Sequence, residues 1–150
     1  MSTIIYQKVI RRSDLRTNPE FRYVFGDNYV RSGMGGQAHA MRGEPNAIGV
    51  CSKWTPWVYF SPNRVDDQIE LITHDITRIA TAIQEGRTIV FPTDGVGTGL
   101  ANLVQKCPDS WRYMQTLFES LGIQNGHGKS ASNYPVISSE KVLDIKVISS

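Results

Sequence analysis

Only two cysteines, Cys51 and Cys107, occur in the 150-residue chain, and they form no CxxC pair. Nothing in their spacing asks for a disulfide, so a reducing intracellular compartment is the expectation. The three histidines, His39, His74 and His127, stand apart from one another and from both cysteines; no zinc or other metal site is expected, and no cofactor. No apolar run approaches the roughly 18 residues that span a bilayer. Residues Met1 to Tyr6 lack the basic stretch and apolar core of a signal peptide. A cytoplasmic protein with no membrane partner is therefore expected. Net charge is also small, with 16 Lys and Arg against 14 Asp and Glu. With no basic stripe beside it, that balance gives no reason to expect nucleic-acid binding. Three signatures of nucleotide and hydrolase chemistry are missing: GxxxxGK[ST], a completed GxGxxG, and GxSxG. Cys51 has no His placed to activate it as a nucleophile.

The hydrophobic share of 40% and charged share of 20% are those of an ordinary globular chain, which excludes a disordered or collagen-like one. At this length one domain buries roughly 68–70% of its unfolded surface. Ile4 to Ile10 is β-branched and reads as a strand, and residues 13–20 as a turn or short helical piece. Phe21 to Phe25 reads as a second strand stopped by Gly26-Asp27-Asn28, and Gln37 to Arg42 as a short helix. Ala47 to Cys51 is a strand buried on both faces. Ile69, Ile72, Ile76, Ile79 and Ile83 make one apolar stripe on a helix over 63–85, with Asp66 and Asp67 in its first turn. Thr88 to Phe91 is a further buried strand. Pro108 opens a helix whose buried face is Trp111, Met114, Phe118 and Leu121. Val136-Ile137 and Val142 to Ile148 are expected late strands. This order predicts one three-layer α/β domain over 1–122 with a mostly parallel or mixed sheet, and an extension over 123–150 packed on it.

Nine of the 13 glycines fall within residues 26–49 and 95–99. Each window starts at the carboxyl end of an expected strand, where open α/β sheets bind ligands. Gly33, Gly35 and Gly36 form the first loop, and Gly95, Gly97 and Gly99 the second. Such loops let amides approach phosphates, although each alone reads equally well as a turn. Asp27, Asn28 and Asp94 flank the glycines, either as functional groups or as turn and helix caps. Gln37 caps or binds, Thr98 is small enough to donate to a phosphate, and Arg42 either pairs with a phosphate or is solvated. Asn46 shapes a turn. The aromatic segment 54–60 either stacks on a planar ring or serves core packing or a subunit contact.

The stretches Ser13–Pro19, Tyr23–Asn28, Gly35–Ala38, Met41–Ala47 and Asp94–Ala101 resemble a phage and bacterial protein family without an assigned activity. More distantly, the layout resembles macrodomains, which bind ADP-ribose and in some branches hydrolyse its linkages. Ser13-Asp14-Leu15 is similar to their Gly-Asp-Ile/Leu, and Asn28 to the Asn that ends their Asn-Ala-Ala-Asn. Gly33-Met34-Gly35-Gly36 and Gly95–Leu100 are similar to their two glycine loops. Ser13 replaces the usual Gly, and Gly26-Asp27 replaces Ala-Ala.

The resemblance implies an ADP-ribose-like nucleotide as partner, a nucleic acid entering only as an ADP-ribosylated substrate. Asp14, Gly33, Gly35, Gly36, Gln37, Arg42, Gly95, Gly97, Thr98 and Gly99 would bind it. In a hydrolase, Asp27, Asn28 or Asp94 would position water at the distal ribose. The alternatives are a sequestering protein without turnover, and an interaction module whose glycine loops are structural.

Overall fold

The computed structural model describes residues 3–126. The expected strands at 136–137 and 142–148 lie outside them. Four strands, β1 (Ile4–Gln7), β2 (Arg22–Asn28), β3 (Ala47–Lys53) and β4 (Ile89–Pro92), pair in the order β1-β4-β2-β3. Every pairing is parallel. The helices are α1 (Arg12–Thr17), α2 (Ala38–Met41), α3 (Val65–Gln84), α4 (Leu103–Lys106) and α5 (Pro108–Ser120).

The period of two along each strand sorts its side chains into two cores. Val24, Ile48, Val50, Ile89 and Phe91 face α3 and α5, joining Ile72, Ile76, Ile79, Met114, Leu117 and Phe118. Tyr23, Phe25 and Val90 face the other way, onto Leu15 of α1 and Ala38 and Met41 of α2. The sheet is thus the middle of three layers, as its doubly buried strands require. The isoleucine stripe of α3 is core at its centre and half-buried at Ile69 and Ile83. Gly86, left-handed at φ 79°, ends that helix.

Two elements differ from the sequence reading. Gly26, Asp27 and Asn28 continue β2, pairing with Val50, Cys51 and Lys53 across a one-residue irregularity. Gly49 allows this, because a side chain there would run into the Asp27 carboxylate. The short helix α4 follows Asn102, which takes a left-handed φ of 45° that no local pattern announces.

After α5 the chain returns to the sheet. The Gln124 amide donates to the Tyr6 hydroxyl at 2.8 Å, and Ile123 joins the larger core. Asn125 then clasps Val96 on both sides: its Oδ1 accepts the Val96 amide at 2.6 Å and its Nδ2 donates to the Val96 carbonyl at 3.0 Å. Nδ2 also donates to Gln115 Oε1 at 2.7 Å. Asn125→Ala leaves these buried groups unpaired and is expected to lower unfolding stability by about 2 kcal/mol. Urea titration checks this, and an unchanged midpoint would refute the clasp.

Candidate functional site

Strands β2 and β4 are parallel neighbours, paired at Arg22–Ile89 and Tyr23–Val90, and the chain beyond each leads into one of the glycine loops. The Gln37 side chain links β2 to the second loop. Its Oε1 accepts the Gly26 amide at 2.8 Å, and its Nε2 donates to the Gly95 carbonyl at 2.9 Å. Leu100 closes the far side, its Cδ1 lying 3.8 and 3.5 Å from where side chains at Gly35 and Gly36 would begin. The structure therefore brings Gly35, Gly36, Gln37 and Gly95 together through the Gln37 and Leu100 side chains, with the Gly97 amide beside Gly26.

The second loop is rigidly placed. Gly95 and Gly97 have φ of 89° and 81°, and a side chain at Gly95 would collide with Asn125 and Gly126. Left-handed residues alternating with ordinary ones turn successive amides toward a common side, a geometry suited to anions. Among the described residues, the amides of Gly97, Thr98, Gly99 and Leu100 donate to no protein acceptor. The Thr98 hydroxyl donates to the Asp94 carbonyl at 2.5 Å, so its proton holds the turn together. The Asp94 carboxylate is exposed, and no described residue bonds or pairs with it.

Asp27 and Asn28, by contrast, are buried and engaged. Asp27 Oδ1 accepts Arg42 Nη2 at 2.5 Å and the Asn28 amide at 2.8 Å, while Oδ2 pairs with Arg31 at 3.2 Å. Asn28 Nδ2 donates to the Ser32 carbonyl at 2.8 Å, tightening the turn after β2. Arg42 also donates to the Gly33 carbonyl at 2.7 Å and lies over the Phe25 ring. It is a strap for the first loop rather than a solvated arginine. Asp14 Oδ2 accepts the Arg11 amide and Gln7 Nε2, both at 2.9 Å, capping α1 beside the end of β1.

Arg31 and Asp75 complete this cluster, and the sequence reading found neither. Asp75 is fully buried on α3, one turn beyond Ile72 and one before Ile79. It accepts both bonds of the Arg31 Nη2 group, at 2.7 and 2.9 Å, and the Cys51 amide at 2.8 Å. Burial pulls the Arg31 guanidinium down, but the bonds and charge of Asp75, with Asp27, more than offset it and hold Arg31 charged. A carboxylate in an isoleucine stripe was the one available signal.

A separate hollow of about 490 Å³ opens beyond the end of β3, lined by Tyr29, Val30, Trp54, Thr55, Val58, Arg64, Asp67, Glu70 and Leu71. The aromatic segment divides there: Phe60 and most of Trp54 pack inward, whereas Trp57 stands outside. Among the described residues no group of His, Cys, Asp and Glu could hold a metal ion. No helix is long and apolar enough to cross a membrane, again among those residues.

Removing the Asp75 carboxylate strands Arg31 and the Cys51 amide together. Asp75→Ala is expected to cost about 3–5 kcal/mol, and Asp75→Asn, which keeps an acceptor for the amide, less. Removing the exposed Arg64–Asp67 pair should cost under about 1 kcal/mol. Equal losses in urea melts at the two places would sink the assignment.

Burial foremost, and then the nearby Asp75 charge, push the Cys51 thiol from 9.0 to about 12. The folded chain therefore keeps that proton while an unfolded thiol loses it, and stability falls as pH rises from about 9 toward 12. Wild type is expected to lose more stability between pH 7.5 and 10 than Cys51→Ala does, and Cys51 to resist thiol reagents in the native state. Parallel pH profiles for the two proteins would show that the thiol is not responsible.

No curated protein and no solved structure matches the chain. The description "Family of unknown function (DUF7831)" matches residues 5–117, and by that span the chain belongs to this family.

Proposed function

We propose that the crevice between loops 33–37 and 94–100 binds the diphosphate of an ADP-ribose-type nucleotide. The observation that carries this reading is the row of amides from Gly97 to Leu100, without protein acceptors among the described residues, in a loop fixed by Gln37 and Asn125. Such a row offers several donors to a phosphate at no cost in rearrangement. The position at the carboxyl ends of adjacent parallel strands, where the chain order departs from the strand order, adds support. So does the macrodomain resemblance, in which Asp14 would face the adenine and Asn28 the distal ribose. Asp14 stands at the end of β1 with its Oδ1 bonded to no described residue, which is consistent with that role.

Holding the ligand is better supported than hydrolysing it. A general base needs an accessible carboxylate, and both oxygens of Asp27 are engaged by arginines. Asp94 alone among the three expected catalytic residues is open to solvent, and in a hydrolase it would be the group that positions water.

Isothermal titration with ADP-ribose, against NAD, AMP and cyclic ADP-ribose, tests the proposal. Selective binding of ADP-ribose is expected, and Gly99→Glu should abolish it. Gly99 has no atom within 4 Å of where its side chain would begin, so this variant adds charge to the loop without crowding the fold. Ligand recovered intact after denaturing the complex marks a binder, and ribose or nucleotide fragments mark turnover. Silence across the panel refutes the reading.

A further inference from the structure

Among the described residues β3 is an outer strand of the sheet, bonded to β2 on one side only. Its sequence, Ala47-Ile48-Gly49-Val50-Cys51-Ser52-Lys53, is largely apolar, lacks proline and carries its one charge at the last position. An edge of that length and composition is a ready template for a strand from another chain. The Tyr23 amide donates to the Asn46 carbonyl at 2.9 Å, which fixes the phase of the ladder. Ile48 and Val50 therefore bond to β2, and the peptide groups of Ala47, Gly49 and Cys51 point outward.

Turns and side chains meet those outward groups. The Ala47 amide donates to the Glu44 carbonyl at 3.1 Å, and the Lys53 carbonyl accepts the Tyr29 amide at 2.9 Å. Between these ends, the Cys51 amide donates to Asp75 Oδ2 at 2.8 Å, and Arg31 Nη1 reaches the Gly49 carbonyl at 3.5 Å. Arg31 also grips Asp75 through Nη2. The carboxylate is fully buried whereas the guanidinium is 37% exposed, so the arginine is the outer member of the pair. Its backbone sits at φ 54°, a position that glycine takes without strain. Strain of this kind persists where the surrounding structure requires the residue, and here the requirement is the side chain over the edge.

We propose that the Arg31–Asp75 pair is an edge guard. It stands where the main chain of a fifth strand would bond to Gly49 and Cys51, and it keeps β3 from pairing with an extended segment of a second copy. The proposal is independent of the nucleotide reading.

The test removes both members together, as Arg31→Gly with Asp75→Leu. Asp27 keeps Arg42, leucine continues the apolar stripe of α3, and glycine suits the backbone at 31. Exchanging a buried ion pair for apolar groups is often close to neutral, so the circular dichroism spectrum should match that of wild type. In sedimentation velocity the double variant should self-associate at a concentration at least about tenfold below any at which wild type does. Adding Cys51→Pro deletes the uncovered donor at an edge position, where proline is tolerated, and should reverse the association. A folded double variant that associates no more than wild type overturns the proposal. Association that persists in a folded triple variant overturns it as well.

Arg31→Gly alone decides the matter if the double variant does not fold. With the cover gone, hydrogen exchange at the Cys51 amide should accelerate at least about tenfold more than at the Val50 amide, which faces β2. Equal changes at the two amides would show that Arg31 does not shield the edge.

Discussion

Arg31 holds apart two buried carboxylates that would otherwise repel across the sheet, Asp27 on β2 and Asp75 on α3. It does so from a left-handed backbone position, φ 54°, that costs a non-glycine residue roughly 1–2 kcal/mol. The arrangement ties the long central helix to the chain that leaves β2. From that tie follows the course of residues 29–36, with Tyr29 and Val30 lining the aromatic hollow and Gly35 and Gly36 lying against Leu100 of the second glycine loop. Gly33 marks the boundary, packed 3.1 Å from Pro56 where its side chain would begin.

What the sequence made legible was whatever depends on neighbours along the chain. The α3 stripe, the Pro108 start of α5 and the doubly buried runs of β3 and β4 are local periodicities, and the sheet order placed them in three layers. The two glycine loops were legible for the same reason, as breaks at strand ends. What the sequence concealed depends on pairs far apart. Arg31 and Asp75 are separated by 44 residues, and neither is unusual in its own window. Gln37 reads as a cap or a ligand contact, yet its side chain reaches 58 residues along the chain to Gly95. Gly26-Asp27-Asn28 has the composition of a turn, and only the glycine at position 49 of the adjacent strand lets it continue as β structure.

The polar residues around β2 divide by their burial. Asp27, Asn28, Arg31 and Arg42 answer one another and shape the loop, whereas Asp94 is exposed and the amides from Gly97 to Leu100 donate to no described acceptor. Chemistry that needs a fixed framework and free donors is served by this division. The charged cluster fixes the turn after β2, and the loop after Asp94 keeps backbone donors without described acceptors.

The clasp of Asn125 on Val96 also sets an order of events during synthesis. Loop 94–100 leaves the ribosome well before Asn125 does, so for that interval the Val96 amide and carbonyl have no lasting partner. Domains emerging from the amino end settle as they appear, and the sheet can form from residues 4–92 without waiting. Loop 94–100 cannot. It takes its final shape only when α5 has emerged and turned back, so among the described residues it settles late, after the strands on which it rests.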